Sequence, residues 1–262
     1  MVTFGLVPCV IFSHTPILPI MCALASMIGV YEMLGCLGYS KKLPVLVPSL
    51  VVGLYLPICI RYTFSGSPLY MILTILTIYV FYMFSLTVFT NNSISIDDIS
   101  KTMIMTVYIA LGFASIVGLR DVDNGEYIYI LAFIGAWITD IFAYFTGMLF
   151  GKHKLSPIIS PQKTIEGSVG GILLCSLSFL AYSYVLNGAF SLDTNPLSFL
   201  IIGIFVSVIS QLGDLTASAI KRKYDIKDYG KIFPGHGGVV DRFDSIIAVA
   251  PILLLLCYIT SV

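Results

Sequence analysis

A polar face runs along an otherwise apolar segment near the C-terminal end of the chain, between residues 197 and 220. Its polar residues recur at intervals of three and four, as on one face of an α-helix: Ser207, Ser210, Gln211, Asp214, Ser218, Lys221 and Arg222. An ionised carboxylate among apolar side chains is costly unless it is paired or coordinated, so Asp214 is a candidate functional residue. The alternative, a hydrogen-bonded seam between helices, does not need an aspartate followed by a lysine and an arginine.

The segment that follows, residues 221–244, combines the residue types that bind phosphates and metal ions. Its cations, carboxylates and glycines are Lys221, Arg222, Lys227, Lys231, Arg242, Asp228, Asp241, Asp244, Gly235, Gly237 and Gly238. Glycines allow positive φ angles, and successive N–H groups in such turns can bind anions. Cations neutralise phosphates, and carboxylates together with substrate phosphates hold Mg²⁺. The combination predicts phosphoryl or nucleotidyl transfer rather than a solvated turn with scattered charges.

A second polar segment, residues 151–167, follows an apolar stretch that contains Asp140. Two prolines in it predict an extended path. Three of its side chains could donate hydrogen bonds to a phosphate or a nucleotide base, namely Ser160, Lys163 and Thr164. A simple ion pair between Lys163 and Glu166 is the alternative. In the other segment, His236 lies between glycines and could also donate to a phosphate.

Composition indicates the kind of scaffold that must position these residues. Of 262 residues, 58% are hydrophobic and 11% are charged, whereas a soluble domain has roughly 25% charged residues. A membrane-spanning helix needs roughly 20 apolar residues, and the apolar runs are 17–37, 43–60, 69–89, 101–119, 127–150, 168–186, 197–220 and 245–259. Segment 2–16 has neither a basic leader nor a cleavage site, so it is interpreted as a further span or a trimmed first helix. We predict an all-α, polytopic integral membrane protein with about nine transmembrane helices, eight of them well marked.

Charge is distributed unevenly along this scaffold, although the net charge is zero and gives no reason to expect a nucleic-acid partner. With nine spans, the loops after the even-numbered helices hold twelve of the 14 Lys and Arg residues, so both polar segments are predicted to face the cytoplasm. The candidate residues lie after residue 126. We therefore distinguish N-terminal membrane helices (1–126) from C-terminal membrane helices with catalytic loops (127–262), and expect both to form one catalytic unit. Glu32 is expected at the membrane interface, with a role in a pocket left open.

Three motifs in residues 218–244 resemble those of the phosphatidate cytidylyltransferases, also called CDP-diacylglycerol synthases. The family pattern is S-x-x-K-R, then K-D-x-G, then P-G-H-G-G-x-x-D-R-x-D. Each fixed position is filled, by Ser218-Ala-Ile-Lys-Arg, Lys227-Asp-Tyr-Gly and Pro234-Gly-His-Gly-Gly-Val-Val-Asp-Arg-Phe-Asp. The resemblance extends in detail over residues 127–245, whereas the first half of the chain is similar only as a set of membrane helices.

The resemblance implies an enzyme of phospholipid biosynthesis that joins CTP to phosphatidate and releases pyrophosphate at a bacterial inner membrane. It implies Asp214 and Asp241 as ligands of Mg²⁺, supported by Asp244, with a second, monovalent cation left open. Phosphate charge would be neutralised by Lys221, Arg222 and Arg242. The implied substrate contacts are Asp140, Ser160, Lys163, Thr164, Ser218, Lys227, Asp228, Gly235, His236, Gly237 and Gly238. A homodimer is also left open.

Two other functions fit parts of the sequence. A CTP-dependent polyprenol or phytol kinase would transfer the γ-phosphoryl group of CTP and release CDP instead of pyrophosphate. A transporter would account for Asp140 and Asp214 within apolar helices. Transporter sites tend to lie near the bilayer midplane between repeats, whereas the polar residues here concentrate in two segments on one side of the membrane.

Overall fold

Membrane-spanning helices account for most of the residues that the computed structural model describes, which are 13–62, 67–90, 93–233, 235 and 237–260. In chain order the elements are α1 (Ile17–Cys36), α2 (Leu43–Arg61), α3 (Pro68–Phe89), α4 (Ile96–Asp121), α5 (Gly125–Phe150), β1 (Lys154–Ser156), β2 (Ser160–Thr164), α6 (Ile165–Phe190), α7 (Pro196–Lys223) and α8 (Val240–Thr260). Within this part of the chain, eight helices are long and apolar enough to cross a membrane. The predicted all-α, polytopic membrane fold is confirmed, and most of the further span predicted over 2–16 lies outside the described residues.

The polar segment 221–244 is shorter than the sequence pattern predicted. α7 continues through Lys223 and α8 begins at Val240, so the prediction of a continuous loop is wrong at both ends. Five charged candidate residues of this segment therefore lie on helices, namely Lys221, Arg222, Asp241, Arg242 and Asp244. Cations in the last turn of α7 and a carboxylate in the first turn of α8 each have the sign that the helix dipole favours.

The first of two compact units comprises Met1–Asp121 and Tyr224–Phe243. α1, α2 and α4 pack against one another in it, around the fully buried side chains Met33, Leu56, Ile109, Phe113 and Leu119. At one end of these helices Arg61 makes an ion pair with Asp121 at 2.6 Å. Arg61 also donates to the backbone carbonyls of Ser13 and Thr15. This cation therefore ties α2, α4 and the start of the described chain together.

The second compact unit comprises Val122–Lys223 and Asp244–Val262. α5, α6 and α7 pack against one another in it, and their buried side chains include Cys175, Phe179, Phe199 and Val206. A Cβ on Gly203 would lie 2.8 Å from the Ser176 Cα, and one on Gly213 would lie 3.0 Å from the Asp244 carbonyl oxygen. Glycine at these positions lets α7 pack closely against α6 and α8, which brings the Asp214 segment and Asp244 together.

We expect Gly135→Ala to destabilise the second unit, because the new Cβ would lie 2.3 Å from a Val206 methyl group and 3.3 Å from the Phe179 ring. Overpacking of this kind costs about 1–3 kcal/mol. Thermal unfolding in one detergent should therefore show a lower midpoint for this variant.

The matched control is Gly188→Ala on α6, where a Cβ would meet no atom within 4 Å. Its midpoint should stay at or slightly above that of the unchanged protein, because alanine restricts the unfolded chain more than glycine does. Equal midpoints for both variants would contradict the packing described at Gly135.

Candidate active site

A cavity of about 750 Å³ opens in the second unit beside α5, the β-hairpin, α6 and α7. Its lining includes charged and polar groups, among them Asp140, Lys163, Gln211 and Asp214. The lining also includes apolar side chains such as Met148 and Leu155. A cavity with both kinds of lining suits a ligand that has a charged group joined to an apolar one.

Lys163 and Asp214 form an ion pair in this cavity. Both side chains are about three-quarters buried, with 26% and 24% of their surfaces exposed. The Ser218 hydroxyl, one helical turn from Asp214, donates to its other carboxylate oxygen at 3.4 Å. Asp140 and Asp244 both interact electrostatically with Asp214. Three carboxylates and an ammonium group are thus concentrated in one region of the second unit.

The β-hairpin positions Lys163 for this contact. β1 and β2 pair antiparallel, with Lys154 opposite Thr164. Glu166 accepts from the backbone N–H groups of Lys152 and His153 at 3.1 and 3.2 Å, and it binds His153 Nδ1 at 2.7 Å. The alternative of a Lys163–Glu166 ion pair is therefore wrong, because Glu166 closes the hairpin and leaves Lys163 to Asp214.

Thr164 begins α6 as its N-cap, and its side-chain oxygen accepts the Gly167 N–H at 3.1 Å. Thr164 also lines the cavity together with Ser160. A Cβ on Gly147 or Gly151 would lie within 3 Å of the Thr164 side chain. Glycine at both positions therefore lets the end of α5 lie directly against the hairpin.

The polar face of α7 serves two purposes along its length. Toward the middle of the helix, the Thr139 hydroxyl of α5 donates to Ser207 at 2.9 Å, and Gln211 exchanges hydrogen bonds with Ser168 of α6. The seam predicted as an alternative is thus present there. From Gln211 to Asp214 the same face also lines the cavity.

The glycine-rich segment belongs to the first unit and folds around Asp241. One carboxylate oxygen of Asp241 accepts the Gly238 N–H at 2.9 Å and the Tyr229 N–H at 2.8 Å. Gly235 and Gly237 have φ angles of +74° and +82°, which glycine adopts without strain. A Cβ on Gly237 would also lie 2.9 Å from that Asp241 oxygen. At Gly237, glycine is therefore needed both for the backbone angle and for the space beside Asp241.

Comparison with known proteins identifies the family of the chain. A sequence model described as the cytidylyltransferase family matches residues 1–260. The chain belongs to this family. The resemblance drawn from the three motifs is thereby confirmed at the level of the family.

Curated members of the cytidylyltransferase family include close relatives of this chain. A phosphatidate cytidylyltransferase of Staphylococcus haemolyticus is 41% identical over 176 residues, which cover 67% of this chain and 65% of the relative. A Bacillus subtilis protein of the same name is 40% identical over 176 residues, covering 67% and 64%. One from Staphylococcus aureus (strain COL) is 41% identical over 179 residues, covering 67% and 65%. The chain therefore spans just under two thirds of the length of these relatives.

The predicted site residues of this family member fall into two groups. The second unit contains Asp140, Ser160, Lys163, Thr164, Asp214, Ser218, Lys221, Arg222 and Asp244, and the first unit contains Lys227, Asp228, Gly235, Gly237, Gly238, Asp241 and Arg242. Lys227, Asp228 and Arg242 are exposed. Arg222 donates to the Ile159 carbonyl oxygen at 3.4 Å and so links the end of α7 to the hairpin turn. His236 lies outside the described residues.

The donor set suits a hard divalent cation such as Mg²⁺, because it consists of carboxylates that can share such an ion with substrate phosphates. Among the residues described, no three His, Cys, Asp or Glu side chains form a ready-made metal site. An Mg²⁺ ion here would therefore depend on substrate oxygens as well as on the protein. This is the usual arrangement for Mg²⁺, which is commonly held by one or two carboxylates.

Glu32 makes contacts that the sequence did not predict. Its side chain is buried, with 5% exposed, and its expected position at the membrane interface stays a prediction. Its two carboxylate oxygens accept the N–H groups of Val239 and Val240, each at 3.0 Å. One signal was available, since Glu32 is the first acidic residue of the chain and lies within an apolar run.

Proposed function

We propose that this protein is a phosphatidate cytidylyltransferase, which converts CTP and phosphatidate into CDP-diacylglycerol and pyrophosphate. The observation that carries the proposal is the Lys163–Asp214 pair in a cavity that also has apolar walls. Phosphatidate joins a charged headgroup to apolar chains, and the cavity offers both environments. The cytidylyltransferase family match and the names of the curated relatives support this choice.

The reaction requires little acid–base chemistry from the protein. An oxygen of the lipid phosphate attacks the α-phosphorus of CTP, a new P–O bond forms, and pyrophosphate leaves with the electrons of the broken P–O bond. A phosphate monoester has a second pKa near 6 and is already largely dianionic at neutral pH. The carboxylates around Asp214 are therefore not needed as general bases. Their role in the proposal is to hold cations.

The cationic side chains bind and orient the two anionic substrates. Lys163 and Lys221 lie in the second unit with Asp214 and Asp244, and Lys221 interacts electrostatically with Asp244. Such cations offset the repulsion between the lipid phosphate and the triphosphate as they approach each other. Asp214 and Asp241 stay the predicted Mg²⁺ ligands, an assignment that rests on the three motifs; the ion would reduce the charge of the triphosphate and polarise its α-phosphoryl group. A second, monovalent cation stays a prediction.

We further propose that both polar segments face the cytoplasm of a bacterial cell membrane, where CTP is available. The excess of basic residues in these segments supports this orientation. The bacterial origin of the relatives supports the choice of membrane. A homodimer also stays a prediction, and native mass spectrometry in detergent would distinguish one copy from two.

The proposed function is tested by following two labels in CTP. The purified protein in detergent is incubated with phosphatidate, Mg²⁺ and CTP labelled separately at the α- and γ-phosphates. We expect the α-label to enter the lipid and the γ-label to appear in pyrophosphate. Entry of the γ-label into a lipid would instead identify a CTP-dependent kinase. A known cytidylyltransferase in the same detergent is the positive control, and its activity beside an inactive sample would contradict the proposal.

A further inference from the structure

Glu32 is a buried carboxylate that contacts the backbone of a segment more than 200 positions away. Its Oε1 accepts the Val239 N–H and its Oε2 accepts the Val240 N–H, both at 3.0 Å and across 207 and 208 positions of sequence. Both oxygens of the side chain are therefore engaged. All three residues belong to the first unit, so α1 and the first turn of α8 are joined through this carboxylate.

Two glycines make room for the Glu32 carboxylate. A Cβ on Gly230 would lie 2.1 Å from Glu32 Oε1, and one on Gly238 would lie 2.3 Å from the same atom. Any larger residue at either position would have to displace the carboxylate or the segment. Both glycines therefore lie directly against the Glu32 carboxylate, and the lack of a side chain at each position is what allows this contact.

The same segment carries Asp241. Gly238 and Tyr229 donate their N–H groups to Asp241 Oδ2, while the next two residues after Gly238 donate to Glu32. Three consecutive N–H groups, those of residues 238–240, are thus divided between two carboxylates. If Glu32 moved, two of these N–H groups would lose their acceptor. The backbone of Asp241 would then no longer be held in place.

A carboxylate suits this position for two physical reasons. The first N–H groups of a helix lack partners within the helix. The helix dipole is also positive at this end, which stabilises an anion. Neither Gly238 nor Val239, which precede α8, has a side chain that can cap it. A glutamine would provide one acceptor oxygen and direct an NH₂ group toward the other N–H.

We propose that Glu32 is a positioning residue, which holds residues 229–230 and 237–241 so that Asp241 is presented correctly for cytidylyl transfer. The part of this inference that concerns catalysis rests on the proposed function, because it is there that Asp241 receives its role. Glu32 itself acts through the backbone of the segment and does not contact the reacting atoms.

The test compares Glu32→Gln with the unchanged protein in two measurements. The first is hydrogen–deuterium exchange by mass spectrometry, in which we expect peptides covering residues 229–240 to exchange at least about tenfold faster while peptides from α2 and α4 are unchanged. The second is steady-state kinetics, in which we expect kcat to fall about 10- to 100-fold, as is typical when a residue that orients a metal ligand is lost. The KM for CTP should change much less than kcat.

Ser26→Ala is the matched control on the same helix. Ser26 is fully buried, and its hydroxyl has no hydrogen-bond partner among the described residues. This variant should leave both exchange and kcat within about twofold of the unchanged protein. If Glu32→Gln does not fold, Gly238→Ala tests the same contact from the other side and should give the same local increase in exchange.

The outcomes separate this inference from the proposed function. Unchanged exchange over residues 229–240 in Glu32→Gln would overturn the inference, and so would faster exchange throughout the first unit with kcat retained, which indicates a purely structural role. If the unchanged protein does not transfer cytidylyl groups, the proposed function fails. The exchange pattern then decides alone whether Glu32 positions the segment.

Discussion

Asp214→Asn is expected to lower turnover of CTP and phosphatidate by about 10²- to 10³-fold, the usual effect of removing one electrostatic contributor from a reaction centre. Asparagine has nearly the same shape, and its carbonyl oxygen can still accept from Ser218. It lacks the negative charge that pairs with Lys163. The substitution therefore removes the charge with little change in packing. Initial rates of α-label transfer into lipid measure the effect.

The matched control for this variant is Asp193→Asn, which lies in the same unit on the exposed connection between α6 and α7. Its turnover should stay within about twofold, since exposed substitutions away from a site have small effects. Normal expression and a normal unfolding midpoint for Asp214→Asn would show that the fold is intact. Full activity of Asp214→Asn would remove Asp214 from the proposed site.

Asp241→Asn is expected to cause a loss of similar size, about 10²- to 10³-fold, with the protein still folded. One carboxylate oxygen of Asp241 accepts both the Gly238 and the Tyr229 N–H groups. The single carbonyl oxygen of asparagine can take over both bonds, so the fold of the segment is retained while the charge is lost. Comparison with Asp241→Ala, which loses the bonds as well, separates these two contributions.

Asp225→Asn provides the control for Asp241→Asn. Asp225 is exposed in the same segment and has a φ angle of +51°, a conformation that asparagine adopts readily. Turnover should be nearly unchanged in this variant. Retained turnover in Asp241→Asn, together with loss in Asp241→Ala, would mean that Asp241 serves the backbone of the segment and not the chemistry.

Local patterns in the sequence were sufficient to predict most of the membrane helices. A helix is formed by neighbours in the chain, so apolar runs and intervals of three and four residues report it directly. The same periodicity assigned Asp214, Ser218 and Lys221 to one face of α7, and the structure has Ser218 donating to Asp214. The part of the candidate site that lies on α7 could therefore be predicted from a single segment.

Helix ends were predicted less well where the side chain that caps the end comes from a distant part of the sequence. α8 was expected to begin near residue 245, yet it begins at Val240. Sequence rules for helix starts look for a capping side chain nearby, and neither Gly238 nor Val239 has one. Glu32 supplies the acceptors for this end from another helix. No pattern within residues 230–245 contains that information.

The sequence by itself determined that this chain spans a membrane, belongs with the cytidylyltransferases and carries its candidate chemistry after residue 126. Only the tertiary structure decided which charges meet. Lys163 had Glu166 as a near neighbour and pairs instead with Asp214, which is 51 positions away. The physical reason is that hydropathy and periodicity follow from neighbouring residues. An ion pair or a capping carboxylate depends on which distant segments pack together, and in the Glu32 contacts this distance exceeds 200 positions.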